Sequence, residues 1–218
     1  MSARSSYQRR GNTALRWVPV LLAVLLMSAC ATTEPKRAQA ARIEIQDEVG
    51  FTITEEVRIS GDVRVNYDDA LRYLQQGNLE HGIRILNTVV DAAPGLAAPR
   101  IDLGIAYHQA GNLEAAEKNL LLALESNPDH PSAHNELGIV YRETGRFAEA
   151  RRSYEAALSI YPGYHYARRN LAVLCDLYLA DLNCALTNYE AYMATVPGDD
   201  ETSMWITDLR YRLGRGEQ

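Results

Sequence analysis

The stretch that decides the fold is AAPRIDLGIAYHQAGNLEAAEKNLLLALESNPDH at residues 97–130, followed by PSAHNELGIVYRETGRFAEARRSYEAALSIYPGY at residues 131–164. The two stretches have the same length and share residue types at matching places. Three pairs stand 34 residues apart: Tyr107 and Tyr141, Gly111 and Gly145, Pro128 and Pro162. A repeat of this length predicts one supersecondary unit that stacks on its own copies.

Small residues inside the unit mark where two helices meet. Leu103, Gly104 and Tyr107 share one face of a first helix, and the missing side chain at Gly104 allows a second helix to approach closely. Gly111 permits a tight turn, and Pro128 prevents the second helix from continuing into the next unit. The pattern predicts two antiparallel helices per unit, which bury their apolar faces only by stacking on neighbours.

These residues resemble the signature of the tetratricopeptide-repeat family. The resemblance covers residues 63–197 and implies an all-α solenoid of about four helical hairpins. We place the repeat domain at residues 62–197, with repeats at 63–96, 97–130, 131–164 and 165–198.

The fourth repeat departs from the family pattern. Ala185, Tyr189 and Pro197 come one residue late, and the turn near Leu179 lacks the expected glycine. We therefore expect a wider turn there. Residues 199–213 carry an apolar helical stripe that predicts a capping helix over the exposed end of the solenoid, followed by a tail at 214–218.

The first 29 residues have the pattern of an export signal. They carry four arginines and no acidic residue, and an apolar run extends from Trp17 to Met27. This run is too short to be a comfortable transmembrane span, whereas a basic start, an apolar stretch and small residues are typical of a cleaved signal peptide. We expect residues 1–29 to be removed on export.

Met27-Ser28-Ala29-Cys30 resembles the lipobox of bacterial lipoproteins. The resemblance implies that Cys30 is linked to diacylglycerol, carries fatty acids such as palmitate, and anchors the chain in a membrane. Ala31 after the cysteine, rather than Asp, implies sorting to the outer membrane. The alternatives are an uncleaved signal anchor with an incidental cysteine, and twin-arginine export through Arg9 and Arg10.

Two segments separate the anchor from the repeats. Residues 30–41 are small, polar and without periodicity, which predicts a lipidated tether. Between residues 42 and 61 the pattern changes to alternation, with Ile43 and Ile45 followed by Phe51 and Ile53. This period of two predicts either a small hairpin or an extended cover strand.

The charge of the mature chain argues against a nucleic-acid partner. Loss of residues 1–29 leaves 18 of the 22 basic residues against all 28 acidic ones. Nucleic-acid binding draws its affinity from clustered Lys and Arg, and no basic stripe is visible. The chain also lacks the familiar catalytic and nucleotide-binding motifs, so we expect no enzymatic activity, catalytic residue or cofactor.

The nearest pair of metal-like residues is His130 and His134. A metal centre usually needs three or four converging ligands, so we expect structural roles in an inter-repeat loop and at a packing position, and no metal site. Apart from Cys30, the cysteines are Cys175 and Cys184, in the two helices of the fourth repeat. An oxidising periplasm permits a disulfide there, but unpaired buried cysteines are also common, and the sequence leaves both states open.

The resemblance implies that the first helices line a concave peptide-binding groove. Leu71, Ile105, Ile139 and Val173 would form its apolar spine, and Asn135 would hydrogen-bond an extended peptide backbone. The residues mapped to the groove are Tyr67, Leu71, Ile101, Ile105, His108, Asn135, Ile139, Arg142, Tyr166, Arg169 and Val173, together with Arg64, Leu74, Gln109, Glu143 and Asp176 at the margins.

By resemblance, the protein is similar to tetratricopeptide lipoproteins such as pilus-secretin pilotins and adaptors of peptidoglycan hydrolases. This implies a scaffold in the cell envelope that faces the periplasm and binds a protein or peptide partner. The alternatives are a self-associating structural lipoprotein whose groove is filled by its own residues 42–57, and an enzyme with an unrecognised site. The sequence leaves the oligomeric state open.

The Cys30→Ala variant tests the anchor. Without the thiol no thioether to diacylglycerol forms, so we expect an unprocessed precursor or a soluble periplasmic species. Metabolic labelling with palmitate measures the modification directly. Labelling that is unchanged in the variant would contradict the assignment.

Overall fold

The computed structural model describes residues 42–46, 50–54 and 59–216, with side chains for residues 59–214. Over these ranges the chain forms two strands followed by nine helices. They are β1 (Arg42–Gln46), β2 (Gly50–Thr54), α1 (Gly61–Gln75), α2 (Leu79–Ala92), α3 (Ala97–Gln109), α4 (Leu113–Ser126), α5 (Pro131–Glu143), α6 (Phe147–Ile160), α7 (His165–Leu177), α8 (Leu182–Thr195) and α9 (Asp200–Gly216). The predicted signal peptide, Cys30 and the tether at 31–41 lie outside the described residues.

The two strands form an antiparallel hairpin. Ile43 pairs with Ile53, and Ile45 pairs with Phe51. The backbone register thus pairs apolar residues with each other. Of the two alternatives for this segment, the backbone takes the hairpin.

The helices form consecutive antiparallel pairs. Each pair consists of a first and a second helix, α1 with α2 through α7 with α8, and each second helix packs on the first helix of the next pair. The all-α solenoid that the repeat predicts is thereby confirmed for residues 59–216. Among the described residues, none of the helices combines the length and apolar character needed to cross a membrane.

The turns within the first three pairs share one backbone conformation. Gly77, Gly111 and Gly145 have φ angles of 76°, 78° and 76°, in the left-handed region that glycine occupies without strain. In the second pair, the next residue, Asn112, caps α4 by accepting the Ala115 N–H at 3.1 Å. Such a cap satisfies one of the free N–H groups at a helix start.

The turn of the fourth pair is one residue longer. The Asp181 N–H donates to the Cys175 carbonyl, six residues earlier, at 2.9 Å, whereas in the third pair the Arg146 N–H donates to the Tyr141 carbonyl, five residues earlier. The left-handed residue is Ala180, with a φ of 52°. The inserted residue predicted this widening.

A disulfide joins Cys175 of α7 to Cys184 of α8 across this wider turn, with a Cα–Cα distance of 5.9 Å. The sequence left the state of these cysteines open. In this structure the two helices of the fourth pair are covalently linked.

Close packing within each pair depends on a small residue facing a large one. In the third pair Tyr154 of α6 is completely buried. A Cβ atom placed on Gly138 of α5 would lie 2.5 Å from Tyr154 Cε1, well inside van der Waals contact. The missing side chain at Gly138 therefore sets the distance between α5 and α6.

Gly138→Leu tests this contact. We expect the free energy of unfolding to fall by about 1 to 3 kcal/mol, because a buried ring would have to move to admit the new side chain. Gly95→Leu is the matched control, since a Cβ there meets no atom within 4 Å. Equal urea midpoints for the two variants would show that the contact does not limit packing.

Candidate functional site

The candidate site is the face formed by the first helices. Successive first helices pack directly, α3 on α5 and α5 on α7, and no comparable packing joins successive second helices among the described residues. The first helices are therefore closer together, so the stack curves with their face inward. This inner face, built from α1, α3, α5, α7 and α9, is called the groove below.

Side-chain bonds between successive first helices hold the groove together. His108 Nε2 on α3 donates to Glu143 on α5 at 2.9 Å, and Arg212 on α9 donates to Asp176 on α7 at 2.8 Å. His108 and Glu143 are 35 residues apart in the sequence, whereas Asp176 and Arg212 are 36 residues apart. The difference equals the one inserted residue, so α9 lies in the sequence register of a further first helix and is joined to α7 by the Arg212–Asp176 ion pair.

The capping helix α9 thus occupies the place of a fifth first helix. Its buried residues Thr202, Ile206 and Leu209 lie 35 positions after Ala167, Leu171 and Leu174 of α7, which are also buried. Its opposite side carries Ser203, Thr207 and Arg210, all exposed. A polar outer side is what the end of a solenoid needs in water.

The four residues predicted to form an apolar spine lie on successive first helices. Leu71, Ile105, Ile139 and Val173 are all half-buried, one on each of four successive first helices. Tyr166 is 59% exposed. These residues offer apolar contact area at regular spacing along the inner face.

Two mapped residues are not available to a partner. Asn135 is only 2% exposed and Ile101 only 5%, so neither side chain is accessible from the groove in this structure. The Asn135 amide donates to Glu136 at 3.0 Å, and its oxygen accepts from Asn170 of α7 at 2.9 Å. Asn135 instead links two first helices.

Leu74 also differs from its mapped place. A Cβ on Gly82 of α2 would lie 2.4 Å from Leu74 Cδ2, which shows that the Leu74 side chain turns toward the second helix. It fills the space that Gly82 leaves in the first pair. The other residues mapped to α1, Arg64 and Tyr67, are exposed and half-buried respectively.

Two half-buried carboxyls in the groove, Asp102 and Glu136, escaped the sequence mapping. Burial raises the pKa of Asp102 and of Glu136, while hydrogen bonds from Tyr67 and from Asn135 partly oppose the shifts. Among the described residues, neither carboxyl forms an ion pair with Lys or Arg. Their 34-residue separation on successive first helices was a signal that could have found them.

Arg142 lies beside an aromatic ring from the wider turn. Its guanidinium carbon is 5.9 Å from the centre of the Tyr178 ring, and Nη1 donates to the Tyr178 hydroxyl at 3.4 Å. The Arg142 side chain is 22% exposed. Part of its charge is therefore accessible from the groove, and its position is fixed by the fourth pair.

The two histidines of the metal-like pair make separate backbone contacts. His130 caps α5, with Nδ1 accepting the Ala133 N–H at 3.4 Å, and His134 Nε2 lies 2.9 Å from the Pro128 carbonyl oxygen. His130 thus lies at the inter-repeat loop, and His134 is half-buried on α5. Asp181 lies close to the sulfurs of Cys175 and Cys184, but these sulfurs are bonded to each other and are not thiolates.

Comparison with known proteins agrees with this architecture. Residues 101–165 match the sequence profile of the family described as tetratricopeptide repeat. No curated protein matches the sequence as a relative. The matched residues and the fold of the described helices are those of a tetratricopeptide-repeat solenoid.

Solved structures of similar fold include MamA, PilF and the first TPR of Spaghetti. MamA from Desulfovibrio magneticus RS-1 shares 18% identity, with 72% of this chain and 88% of that chain covered and a TM-score of 0.64. PilF of Pseudomonas aeruginosa shares 21%, with 70% and 69% covered and a TM-score of 0.64. The first TPR of Spaghetti (RPAP3), bound to the HSP90 peptide SRMEEVD, shares 23%, with 56% and 96% covered and a TM-score of 0.54.

His130 predicts a pH dependence of stability. Burial lowers the pKa of His130 from 6.5 to about 4, and the charge of His134 adds to the shift. Between these pH values the unfolded chain binds a proton that the folded chain excludes. We therefore expect the contribution of neutral His130 to the free energy of unfolding to be fully present above pH 6.5. As the pH drops to 4, this contribution should fall by about 3 kcal/mol.

The His130→Asn variant keeps a capping acceptor but does not titrate. We expect its free energy of unfolding, measured by urea denaturation at intervals from pH 7 to pH 4, to fall less steeply than that of the wild type. Parallel curves for the two proteins would show that His130 does not carry the effect.

Proposed function

We propose that this protein is a lipid-anchored adaptor of the bacterial envelope, which faces the periplasm and uses its groove to assemble or stabilise an envelope protein complex. The fold itself is that of a protein–protein interaction scaffold. The anchor, the compartment and the partner complex belong to the proposal.

One observation supports the binding role most strongly. Four successive first helices each present one half-buried apolar residue, from Leu71 to Val173, and polar bonds between the helices hold these residues at a fixed spacing. A rigid row of partly exposed apolar groups suits a bound peptide, because little ordering of the protein is needed on binding.

A structural neighbour supports the kind of ligand. The first TPR of Spaghetti (RPAP3) was solved with a seven-residue peptide, SRMEEVD. Its fold is similar to that of the present repeats. We infer that the groove of this chain also takes a short segment of another protein.

The sequence supports the anchor. The arginine-rich start, the apolar run from Trp17 to Met27 and the small residues before Cys30 form a lipoprotein signal. One acyl chain gives only reversible membrane binding, and bacterial lipoproteins generally carry three, so Cys30 would hold the scaffold at the membrane. Ala31 favours the outer membrane.

The hairpin register favours a second candidate function. Ile43 pairs with Ile53 and Ile45 pairs with Phe51, and an isolated two-stranded hairpin is marginally stable in water. In this alternative the chain's own residues 42–57 fill the groove, and the protein is a self-associating structural lipoprotein.

Site-specific photo-crosslinking in living cells tests the binding role. A photoreactive amino acid replaces Gln109, Glu143 or Tyr166, which are exposed groove positions, or Leu121 or Arg152, which are exposed control positions on second helices. We expect discrete adducts with envelope proteins from the groove positions only, because these side chains line the bound segment.

The pattern of adducts decides between the alternatives. Adducts from Leu121 or Arg152 with none from the groove would overturn the groove assignment. Groove adducts that consist only of a second copy, or only of internal links to residues 42–57, would favour the self-associating alternative.

A further inference from the structure

Exposed apolar side chains are concentrated at one end of the molecule. Among the residues with described side chains, seven large hydrophobic residues are exposed, and five of these lie on α7, on α9 or just after α7. Leu177 is 68% exposed, Met204 65% and Tyr211 58%. A soluble chain rarely gathers exposed apolar groups in one region without a binding role.

The stacking register places these residues inside the groove. Leu177 comes 34 positions after Glu143, which bonds His108 across the groove. Met204 and Tyr211 of α9 come 35 positions after Arg169 and Asp176 of the groove, the same offset that relates the buried residues of α9 to those of α7. The patch formed by Tyr166, Leu177, Met204 and Tyr211, with Val173 between them, is called the α7–α9 patch below.

Acidic groups outnumber basic groups around the α7–α9 patch. Arg169 is shared by Asp199 at 3.9 Å and Glu201 at 3.1 Å. Arg212 is likewise shared by Asp176 at 2.8 Å and Asp208 at 3.3 Å. Four carboxylates thus face two guanidinium groups, and the side chains of Glu201 and Asp208 are each 60% exposed.

At the centre of the groove, Arg142 and Glu143 contribute one charge of each sign, 3.8 Å apart, and two further carboxyls lie nearby. Asp102 and Glu136 are half-buried carboxyls that contact Tyr67 and Asn135 rather than a described Lys or Arg. An apolar surface with unbalanced negative charge complements a ligand that carries apolar and positive groups together. It disfavours an acidic peptide, because like charges would be brought together at low dielectric.

We propose that the α7–α9 patch is the main contact of the groove and that its occupant is a segment of a partner protein in which aromatic or aliphatic residues are flanked by Lys or Arg. This proposal rests on the proposed function and names the chemistry of the partner. It moves the centre of binding from the third repeat to the end of the solenoid, where α9 extends the groove.

Two synthetic peptides test the proposal. One is a fluorescein-labelled 14-residue helix of Leu, Ala and Lys with Leu at i, i+3, i+4 and i+7, and the other has Glu in place of each Lys. Fluorescence anisotropy with the detergent-solubilised mature protein measures their dissociation constants. We expect the Lys peptide to bind at least tenfold more tightly than the Glu peptide, and its affinity to fall with added salt.

Matched variants locate the contact. Leu177→Ser with Met204→Ser should weaken binding of the Lys peptide at least tenfold, whereas Leu121→Ser, at a 41% exposed position on α4, should leave it unchanged. Glu201→Lys with Asp208→Lys should weaken it similarly, against Glu114→Lys with Glu125→Lys as control. Circular dichroism melting checks that each variant remains folded. We expect wild-type melting temperatures, because the substituted side chains are exposed.

Several outcomes would overturn the proposal. These are equal affinity for the two peptides, equal losses in the α4 control variants, and a tenfold gain in affinity on deletion of residues 42–57, which would make the chain's own segment the occupant. Wild-type dimers in analytical ultracentrifugation that Leu177→Ser with Met204→Ser dissociates would make a second copy the occupant. If crosslinks from Gln109 and Glu143 persist in the doubly serine-substituted variant, the scaffold function stands and only the location and chemistry proposed here fail.

Discussion

The close approach of two helices at a position without a side chain is the constraint on which the rest of the structure depends. A Cβ on Gly104 would lie 2.7 Å from the Leu120 side chain, and one on Gly138 would lie 2.5 Å from Tyr154. These contacts fix the distance within each pair. They thereby set how the next pair stacks, and the regular stacking aligns the apolar residues of the groove.

The periodicity of the sequence was sufficient to predict the helix pairs, the turns and the half-buried spine, because each of these depends on residues within one repeat. The state of Asn135 was not predictable in this way. Its oxygen accepts from Asn170 in the next repeat, so its burial is decided by two repeats together. The same applies to Asp102, whose described partner, Tyr67, lies on the preceding first helix.

The residue inserted in the turn of the fourth pair also explains why the sequence did not predict the place of α9 in the groove. The late positions of Ala185 and Tyr189 predicted a wider turn. The place of α9 in the groove becomes clear only when α9 is compared with α7 at an offset of 35 positions, one more than the repeat length. At this offset, Ile206 and Leu209 match the buried residues of α7, and Tyr211 falls on the groove. The capping helix is therefore part of the candidate site, which its polar outer side alone did not indicate.

Covalent linkage of α7 to α8 has a consequence for how the array loses structure. Linear repeat arrays tend to fray from their ends, since a terminal unit has a neighbour on one side only. A bond that closes a loop between residues nine apart lowers the entropy of the opened hairpin by the equivalent of about 2 to 3 kcal/mol in the chain-entropy model. Opening from the C-terminal end would therefore release α9 while α7 and α8 stay together as one hairpin. The α7–α8 surface on which α9 packs would persist during such local unfolding, so the groove would reform without first refolding the fourth pair.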